Sequence, residues 1–259
     1  MPNVEIFIVS CAKHFPWLEY CLKSIEKYAT GFLGTTVLVP EQDKKLFYST
    51  MPEFAGLKCR TGDEWPDKGM LWHMAQIMRS DEWCPNADFI LHTDSDCLFS
   101  EPVTPDDYFE NGKPILYYEN FGSLGRKHPE VLRWQQVVQN CVGFKVLNET
   151  MRRHPAVHQR KTYAKSRAEI EQTTKMPCDD YIKSQRNEFP QSFCEFVTLG
   201  NVAMRYFPNN YKLLDMEKNA WPPQKIVQFW SHSPPHIAQK PLLHGKPFEC
   251  TPDYFIAQT

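Results

Sequence analysis

The sequence predicts an α/β protein whose mainly parallel sheet is flanked by helices. Residues Val4 to Val9 form a near-continuous apolar run, which is typical of a strand buried on both faces. Pro16 opens a segment with apolar residues at helical spacing, and Thr36 to Val39 predict a second strand. A short helix over Gln42 to Thr50 and a third strand over Leu57 to Arg60 follow. This βαβαβ order indicates parallel strands with helices on their faces.

Length and composition predict one globular domain covering residues 1–259. Hydrophobic residues make up 42% and aromatic residues 14% of the chain, more than a disordered chain contains. Lys and Arg number 29 against 31 acidic residues. A net charge of -2 provides no overall attraction to nucleic acid or anionic lipid, although a local basic patch stays compatible with it.

The N-terminus and the cysteines lead us to expect a cytoplasmic protein. The start, MPNVEIFIVSC, lacks the basic region and cleavage site of a signal peptide. No window approaches 18 consecutive apolar residues, so we expect no membrane span. The nine cysteines include no C-x-x-C pair, which argues against a zinc ribbon and a disulfide framework and favours reduced thiols.

Two carboxylates follow the most informative strand of the sequence. Phe89 to Leu91 predict a buried strand. The apolar run ends there, and the polar residues Asp94, Ser95 and Asp96 follow. Hard cations such as Mg²⁺ and Mn²⁺ take oxygen ligands and bridge to substrate phosphates, and ligands bind at strand ends in α/β sheets. An Asp-rich turn that only caps the strand is the alternative.

The middle of the chain carries weaker signals. Asp67 is expected to cap a helix that ends near Ser80. Pro114 to Tyr118 predict a strand, and the following ENFGSLGRKHP predicts a mobile loop or a plain connection. A helix then starts at Pro129, and residues 143–146 are expected to return to the sheet.

A polar, basic segment spans residues 151–174. We interpret it chiefly as a solvated helix face, because exposed cations need no partner. An acceptor-side patch for an anionic substrate is the alternative, although Tyr163 is the only aromatic residue available there for base stacking.

Three further carboxylates are candidates for catalysis. Asp179 and Asp180 stand at the start of a predicted helix, where they also simply favour the helix dipole. Glu195 lies between Phe193 and Phe196, apolar surroundings that would raise its pKa toward that of a useful base. The alternative for Glu195 is an exposed helix residue.

The run HTDSDCLFSEPV, followed by a strand at PILYYEN, resembles the D-x-D region of nucleotide-sugar glycosyltransferases with the GT-A fold. The resemblance implies that Asp94 and Asp96 hold Mn²⁺ or Mg²⁺ against the diphosphate of a donor such as a UDP-sugar, with Ser95 between them. It also implies that a late histidine after a strand completes the metal site. Here Ile226 to Trp230 predict that strand and His232 follows it, although the family's glycine between histidine and lysine is missing.

The same resemblance assigns the rest of the donor and acceptor sites. Residues 1–100 correspond to the nucleotide-sugar half, and residues 101–259 to the acceptor half and metal-completing segment. The loop after the first strand would contact the donor's base and ribose, and the helix before the D-x-D strand would place Lys68 near the donor. The donor-loop residues are Ser10, Cys11, Ala12 and Lys13; the alternative is that Ser10 and Cys11 only end the strand. On the acceptor side, the run CDDYIKSQ is similar to a carboxylate-containing helix start facing the anomeric carbon, which concerns Asp179 and Asp180.

The predicted function is therefore metal-dependent transfer of a sugar from a nucleotide sugar to an acceptor hydroxyl. The acceptor would be a glycan, a protein or a hydroxylated base in phage-type DNA. A nucleotidyltransferase is one alternative, but SCAKHF lacks the glycine-rich phosphate loop expected near its first strand. A non-catalytic nucleotide-sugar binding protein is the other.

Overall fold

The computed structural model describes residues 2–151, 154–188 and 192–229, and two short strands at 242–243 and 246–247. The strands are β1 (Val4–Val9), β2 (Thr35–Pro40), β3 (Leu57–Gly62), β4 (Phe89–His92), β5 (Cys97–Phe99), β6 (Phe109–Glu110), β7 (Lys113–Asn120), β8 (Asn148–Glu149), β9 (Ala156–Gln159), β10 (Lys212–Asp215), β11 (Ile226–Gln228), β12 (Leu242–Leu243) and β13 (Lys246–Pro247). The α-helices are α1 (Phe15–Tyr28), α2 (Lys44–Thr50), α3 (Gly69–Met78), α4 (Ser80–Trp83), α5 (Phe121–Lys127), α6 (Leu132–Val142), α7 (Arg160–Thr174), α8 (Cys178–Ser184) and α9 (Glu195–Tyr206).

The main sheet has the order β3-β2-β1-β4-β9. Strands β3, β2, β1 and β4 run parallel, and β9 pairs antiparallel with β4. The predicted mainly parallel α/β sheet is thus confirmed, and its β3-β2-β1-β4 order is Rossmann-like. From β1 the chain moves to β2 and β3 on one side and then returns to β4 on the other. The gap between β1 and β4 is therefore the topological switch point, where ligands bind in open α/β sheets.

Both faces of the sheet are covered, which explains the continuous apolar run of β1. Ile6 and Ile8 pack in one cluster with Leu18 and Leu22 of α1. On the other face, Phe7 belongs to a second cluster with residues of α3, α7 and α9. Because successive side chains of a strand point to opposite faces, a strand buried on both sides must be apolar throughout.

A second sheet follows the main one and has the order β10-β7-β6, with β8 pairing to β7. Separately, β5 pairs antiparallel with β11, with Val227 opposite Leu98. Since β5 directly follows the D-x-D turn, this pairing brings residues 226–228 beside that turn. Contacts of this range cannot be inferred from local sequence.

The stretch after β7 is a helix, so the prediction of a mobile loop there was wrong. Asn120 caps α5, because its side-chain oxygen accepts a 2.8 Å hydrogen bond from the backbone N–H of Gly122. Phe121 and Leu124 are buried and hold α5 against the core. The expected strand at 143–146 is also absent: Gly143 instead ends α6 in the left-handed conformation, with φ 69°.

Two details of the middle segment differ from the predictions as well. Asp67 does not cap α3: it has φ 59°, and Lys68 precedes the first helical residue without a side-chain cap. The basic segment is only partly a solvated helix, because it also supplies the edge strand β9. Within α7, Arg167 binds both carboxylate oxygens of Asp81, at 2.6 and 3.0 Å, and is only 17% exposed.

Within the described part of the chain, every helix is too short or too polar to cross a bilayer. The cysteines located there all carry free thiols.

Candidate functional site

The D-x-D turn lies at the switch point of the main sheet. Ser10 follows β1, and Thr93 to Asp96 follow β4, so both segments leave the carboxyl ends of neighbouring parallel strands. The hydroxyl of Ser95 donates a 2.8 Å hydrogen bond to the hydroxyl oxygen of Ser10. The structure therefore brings together the predicted donor loop and the predicted metal turn.

Asp94 is the centre of this site, because side chains from three separate elements converge on its carboxylate. Nε2 of His154 lies 3.1 Å from Oδ2 of Asp94, and the amide of Gln228 donates a 2.9 Å hydrogen bond to the same oxygen. Nε2 of His73 lies 3.8 Å from Oδ1. The Asp94 side chain remains 28% exposed, so this oxygen-rich group is also accessible to a ligand.

The Asp94–His154 ion pair is held in a largely buried setting. Burial by itself would raise the pKa of Asp94, but the charge and hydrogen bond of His154 outweigh it and lower that pKa. Burial by itself would likewise lower the pKa of His154, whereas the Asp94 carboxylate raises it to about 9. At neutral pH, the pair is therefore a carboxylate and an imidazolium.

Asp94 and Asp96 are suitable ligands for a hard cation. Mg²⁺ and Mn²⁺ are often held by one or two carboxylates together with substrate phosphates. Asp96 is buried, and its backbone carbonyl accepts a 2.9 Å hydrogen bond from the N–H of Phe229. Among the described residues, no group of three His, Cys, Asp or Glu side chains forms a complete metal site. His232, the expected third ligand, lies outside the described residues.

Glu195 is the first residue of α9, which begins beside this site, because the ring of the next residue, Phe196, lies 5.7 Å from the ring of His154. Its residue exposure is 4%, and burial raises the pKa of its carboxyl to about 7. The negative charge of Asp94 raises this pKa further, whereas the group's own backbone N–H and the charge of His154 lower it. The charges of Asp94 and His154 thus both act on the Glu195 carboxyl, in opposite directions.

Close packing of α9 against the chain after β8 positions Glu195. The hydroxyl of Thr150 donates a 2.8 Å hydrogen bond to the carbonyl of Phe196. A Cβ at Gly200 would collide with the side chain of Thr150, so glycine is needed for this approach.

The other two candidate carboxylates are placed differently. Oδ2 of Asp179 lies 3.2 Å from a guanidinium nitrogen of Arg79, and burial raises the pKa of Asp179 despite that cation. Asp180 is exposed on α8. Of these carboxylates, Glu195 rather than Asp179 has a pKa that the charge of Asp94 raises.

The remaining donor-loop residues form a short ordered segment after β1. Ala12 starts a 3₁₀ turn, Ala12–His14, and its backbone N–H donates a 2.7 Å hydrogen bond to the carboxylate of Asp43. Burial raises the pKa of the Cys11 thiol, and Lys13 is exposed. Nζ of Lys68 donates a hydrogen bond to the backbone carbonyl of Lys183, near the end of α8.

Two buried histidines lie behind the turn, on the core side. Nε2 of His92 is 2.7 Å from the hydroxyl of Tyr163. Both ring nitrogens of His158 are fully buried and lack a hydrogen-bond partner among the described residues. Burial lowers the pKa of His158 to about 3, so its ring is neutral.

Three residues that contact Asp94 were not predicted from the sequence, namely His73, His154 and Gln228. His154 lies in the segment that was interpreted as a basic helix face, and Gln228 lies inside a predicted apolar strand. Neither carries a local signal, because only the packing of β9 and β11 beside β4 and β5 brings them to Asp94.

Comparison with known proteins adds no family to these observations, since no family model matches the chain and no curated protein matches it.

Proposed function

We propose that this chain is a metal-dependent glycosyltransferase of the GT-A type, which transfers a sugar from a nucleotide sugar to an acceptor hydroxyl. Support comes from the Rossmann-like strand order and from the D-x-D turn at its switch point. The Ser95–Ser10 hydrogen bond joins that turn to the loop after β1. Nucleotides bind at this place in open α/β sheets.

On the donor side, Asp94 and Asp96 would hold Mn²⁺ or Mg²⁺, with His232 as the proposed third ligand. When bound, the cation would neutralise negative charge on the leaving diphosphate. Residues 10–13 would contact the base and ribose, and Gln228 and His154 keep the Asp94 carboxylate oriented.

One observation carries the proposal: a buried carboxylate, Glu195, starts α9 beside the D-x-D site although it lies far from it in sequence, since the ring of Phe196 lies 5.7 Å from that of His154. Its pKa of about 7 is close to the optimum for a general base at neutral pH. A nucleotide-binding module without catalytic activity would not need a carboxylate with a raised pKa at this place.

In the proposed reaction, the acceptor oxygen attacks the anomeric carbon of the donor sugar. A bond forms between that carbon and the acceptor oxygen, and the bond between the carbon and the diphosphate oxygen breaks. Glu195 takes the acceptor's proton, and the nucleoside diphosphate leaves with the bonding electron pair. Direct displacement of this kind inverts the configuration of the anomeric carbon.

The first experiment identifies the nucleotide-sugar donor. Nucleotide sugars are screened for slow hydrolysis with Mn²⁺ and with EDTA, and binding of UDP-sugars is measured by calorimetry. We expect one class of donor to be hydrolysed with Mn²⁺ only, and Asp96→Asn to abolish the metal dependence. Glu26→Ala removes an exposed carboxylate of α1 and is the matched control.

The second experiment tests Glu195. Replacing the carboxylate by an amide in Glu195→Gln should lower kcat by about 10² to 10⁴, the usual effect of losing a general base, and leave the donor Kd nearly unchanged. Asp180→Asn is measured in parallel and should retain activity. Donor binding without hydrolysis or transfer in the native protein would instead identify a non-catalytic binding protein.

A further inference from the structure

A cleft adjoins the D-x-D site on the side of β7. It has a volume of about 160 Å³, and its lining includes Tyr108, Tyr117, His154, Pro222 and Gln224. His154 belongs to both places, because its ring lines the cleft and its Nε2 pairs with Asp94. Anything bound in this cleft therefore lies one side chain away from the D-x-D carboxylate.

Aromatic and proline side chains make part of the cleft rigid and apolar. The ring of Tyr117 packs against that of Trp221, with centroids 5.5 Å apart and planes tilted by 41°. Pro222 and Pro223 follow directly and restrict the backbone there. A pyranose ring presents a face of C–H groups, and such a face gains dispersion contacts from an aromatic wall.

The charges in the cleft favour a neutral ligand. Among the described residues that line it, the one lysine or arginine side chain is paired with a carboxylate. Nζ of Lys225 lies 2.7 Å from Oδ1 of Asp107 and also donates a 3.1 Å hydrogen bond to the carbonyl of Pro102. His154 is paired with Asp94. A phosphate or nucleic-acid backbone would find no uncompensated positive charge at these residues, whereas the amide of Gln224 suits sugar hydroxyls.

We infer that this cleft binds one neutral sugar ring of a carbohydrate acceptor, stacked on Tyr117 and hydrogen-bonded to Gln224, with the reacting hydroxyl on the side of His154 and Asp94. This inference rests on the proposed function and names the acceptor class for it. The small volume accommodates one ring, so any longer glycan would continue outside the cleft.

The test uses the full chain, the donor identified by hydrolysis and four methyl glycosides as acceptor probes, those of glucose, galactose, mannose and N-acetylglucosamine. The variants are Tyr117→Ala and Gln224→Ala. Tyr118→Ala is the matched control, because Tyr118 is the next residue of β7 and lines a different cavity. Donor hydrolysis, which needs no acceptor, is measured for every variant.

We expect at least one methyl glycoside to accept sugar, and its KM to rise about tenfold or more in both cleft variants with little change in donor hydrolysis. Tyr118→Ala should behave like the native protein. Gln224 is exposed, so Gln224→Ala should fold normally. The test therefore remains valid even if Tyr117→Ala fails to fold.

Two other results overturn the inference and are distinct from failure of the proposed function. One is native donor hydrolysis with no methyl glycoside acting as acceptor. The other is an acceptor KM that the cleft variants do not change. The absence of any Mn²⁺-dependent donor hydrolysis would contradict the glycosyltransferase proposal itself. Binding of the methyl glycosides to the native protein and to the cleft variants, measured by calorimetry, would then test separately whether the cleft binds a sugar.

Discussion

Nε2 of His154 lies 3.1 Å from Oδ2 of Asp94, and this contact joins the segment before β9 to the turn after β4. The pair has a direct consequence for stability. The His154 pKa is raised from 6.5 to about 9 in the folded protein. The stabilisation from its proton is therefore complete below pH 6.5 and is lost as the pH rises through 9.

We predict that the titration of His154 makes the native protein lose stability between pH 6.5 and 9, at up to about 1.4 kcal/mol per pH unit. Urea unfolding in EDTA, with the pH varied, measures this slope. His154→Gln keeps a hydrogen-bond donor but does not titrate, so its stability should be lower at pH 6.5 and nearly flat between about pH 8 and 9, above the range in which Glu195 titrates. An unchanged slope in the variant would show that another group is responsible.

Glu195 should reduce stability at neutral and alkaline pH. Its pKa rises from 4.5 to about 7 on folding, so the folded state favours the protonated form. Relative to the ionised form, the protonated Glu195 stabilises the folded state; this stabilisation is complete below pH 4.5 and is lost as the pH rises through 7. We predict that Glu195→Gln, which cannot ionise, increases the free energy of unfolding at pH 8 relative to the native protein and has a smaller effect at pH 4.5. Thermal unfolding at both pH values measures the difference, and a variant that is less stable at pH 8 would contradict the prediction.

Replacing His158 with phenylalanine should stabilise the protein. Its two ring nitrogens are buried without a hydrogen-bond partner among the described residues, and each such group costs about 1 to 3 kcal/mol. Burial also lowers its pKa from 6.5 to about 3, so the neutral form is required in the folded state and stability falls as the pH drops below 6.5. The gain in His158→Phe should accordingly be larger at pH 5 than at pH 8.

His92→Phe is the matched control for that experiment. His92 is equally buried, but its Nε2 is hydrogen-bonded to the hydroxyl of Tyr163. Removing it leaves that hydroxyl without this partner, so His92→Phe should destabilise. Equal effects of the two substitutions in chemical denaturation would refute the distinction between them.

Arg167 should contribute to stability through its geometry as well as its charge. It forms two bonds to the carboxylate of Asp81, at 2.6 and 3.0 Å, and a third, at 2.6 Å, to the carbonyl of Met78. We predict that Arg167→Gln lowers the free energy of unfolding by about 3 kcal/mol, because Asp81 then remains as a largely buried, unpaired charge. Arg167→Lys keeps the charge but loses the planar fork, so part of this loss should remain.

An exposed cation on the same helix is the appropriate comparison. Lys161→Gln removes an exposed positive charge at the start of α7 and its contact with the Phe207 ring, whose centroid lies 4.5 Å from Nζ, so its effect should stay within about 1 kcal/mol. If Arg167→Gln is equally mild in urea unfolding, the segment behaves as the solvated helix face that its composition suggests.

Secondary structure was predictable where one local pattern had a single interpretation. Val4 to Val9 are apolar at every position, which a strand with helices on both faces requires, and β1 has those bounds. The glycine-containing stretch after β7 misled because composition alone does not show that Asn120 caps it and that Phe121 and Leu124 bury it. Strand β9 was missed because its four residues lie in a basic segment and gain their strand structure from pairing with β4.

The alternation of apolar strands with helices, and the position of Asp94 and Asp96 after a buried strand, can be predicted from the sequence alone. These properties depend on the order and periodicity of neighbouring residues, which the chain carries locally. The contacts of His154 and Gln228 with Asp94, and the approach of the start of α9 to His154, follow only from the tertiary structure. Such contacts join segments distant in the chain, and they exist only because the order of strands in the sheets and the packing of α9 over Thr150 bring those segments together.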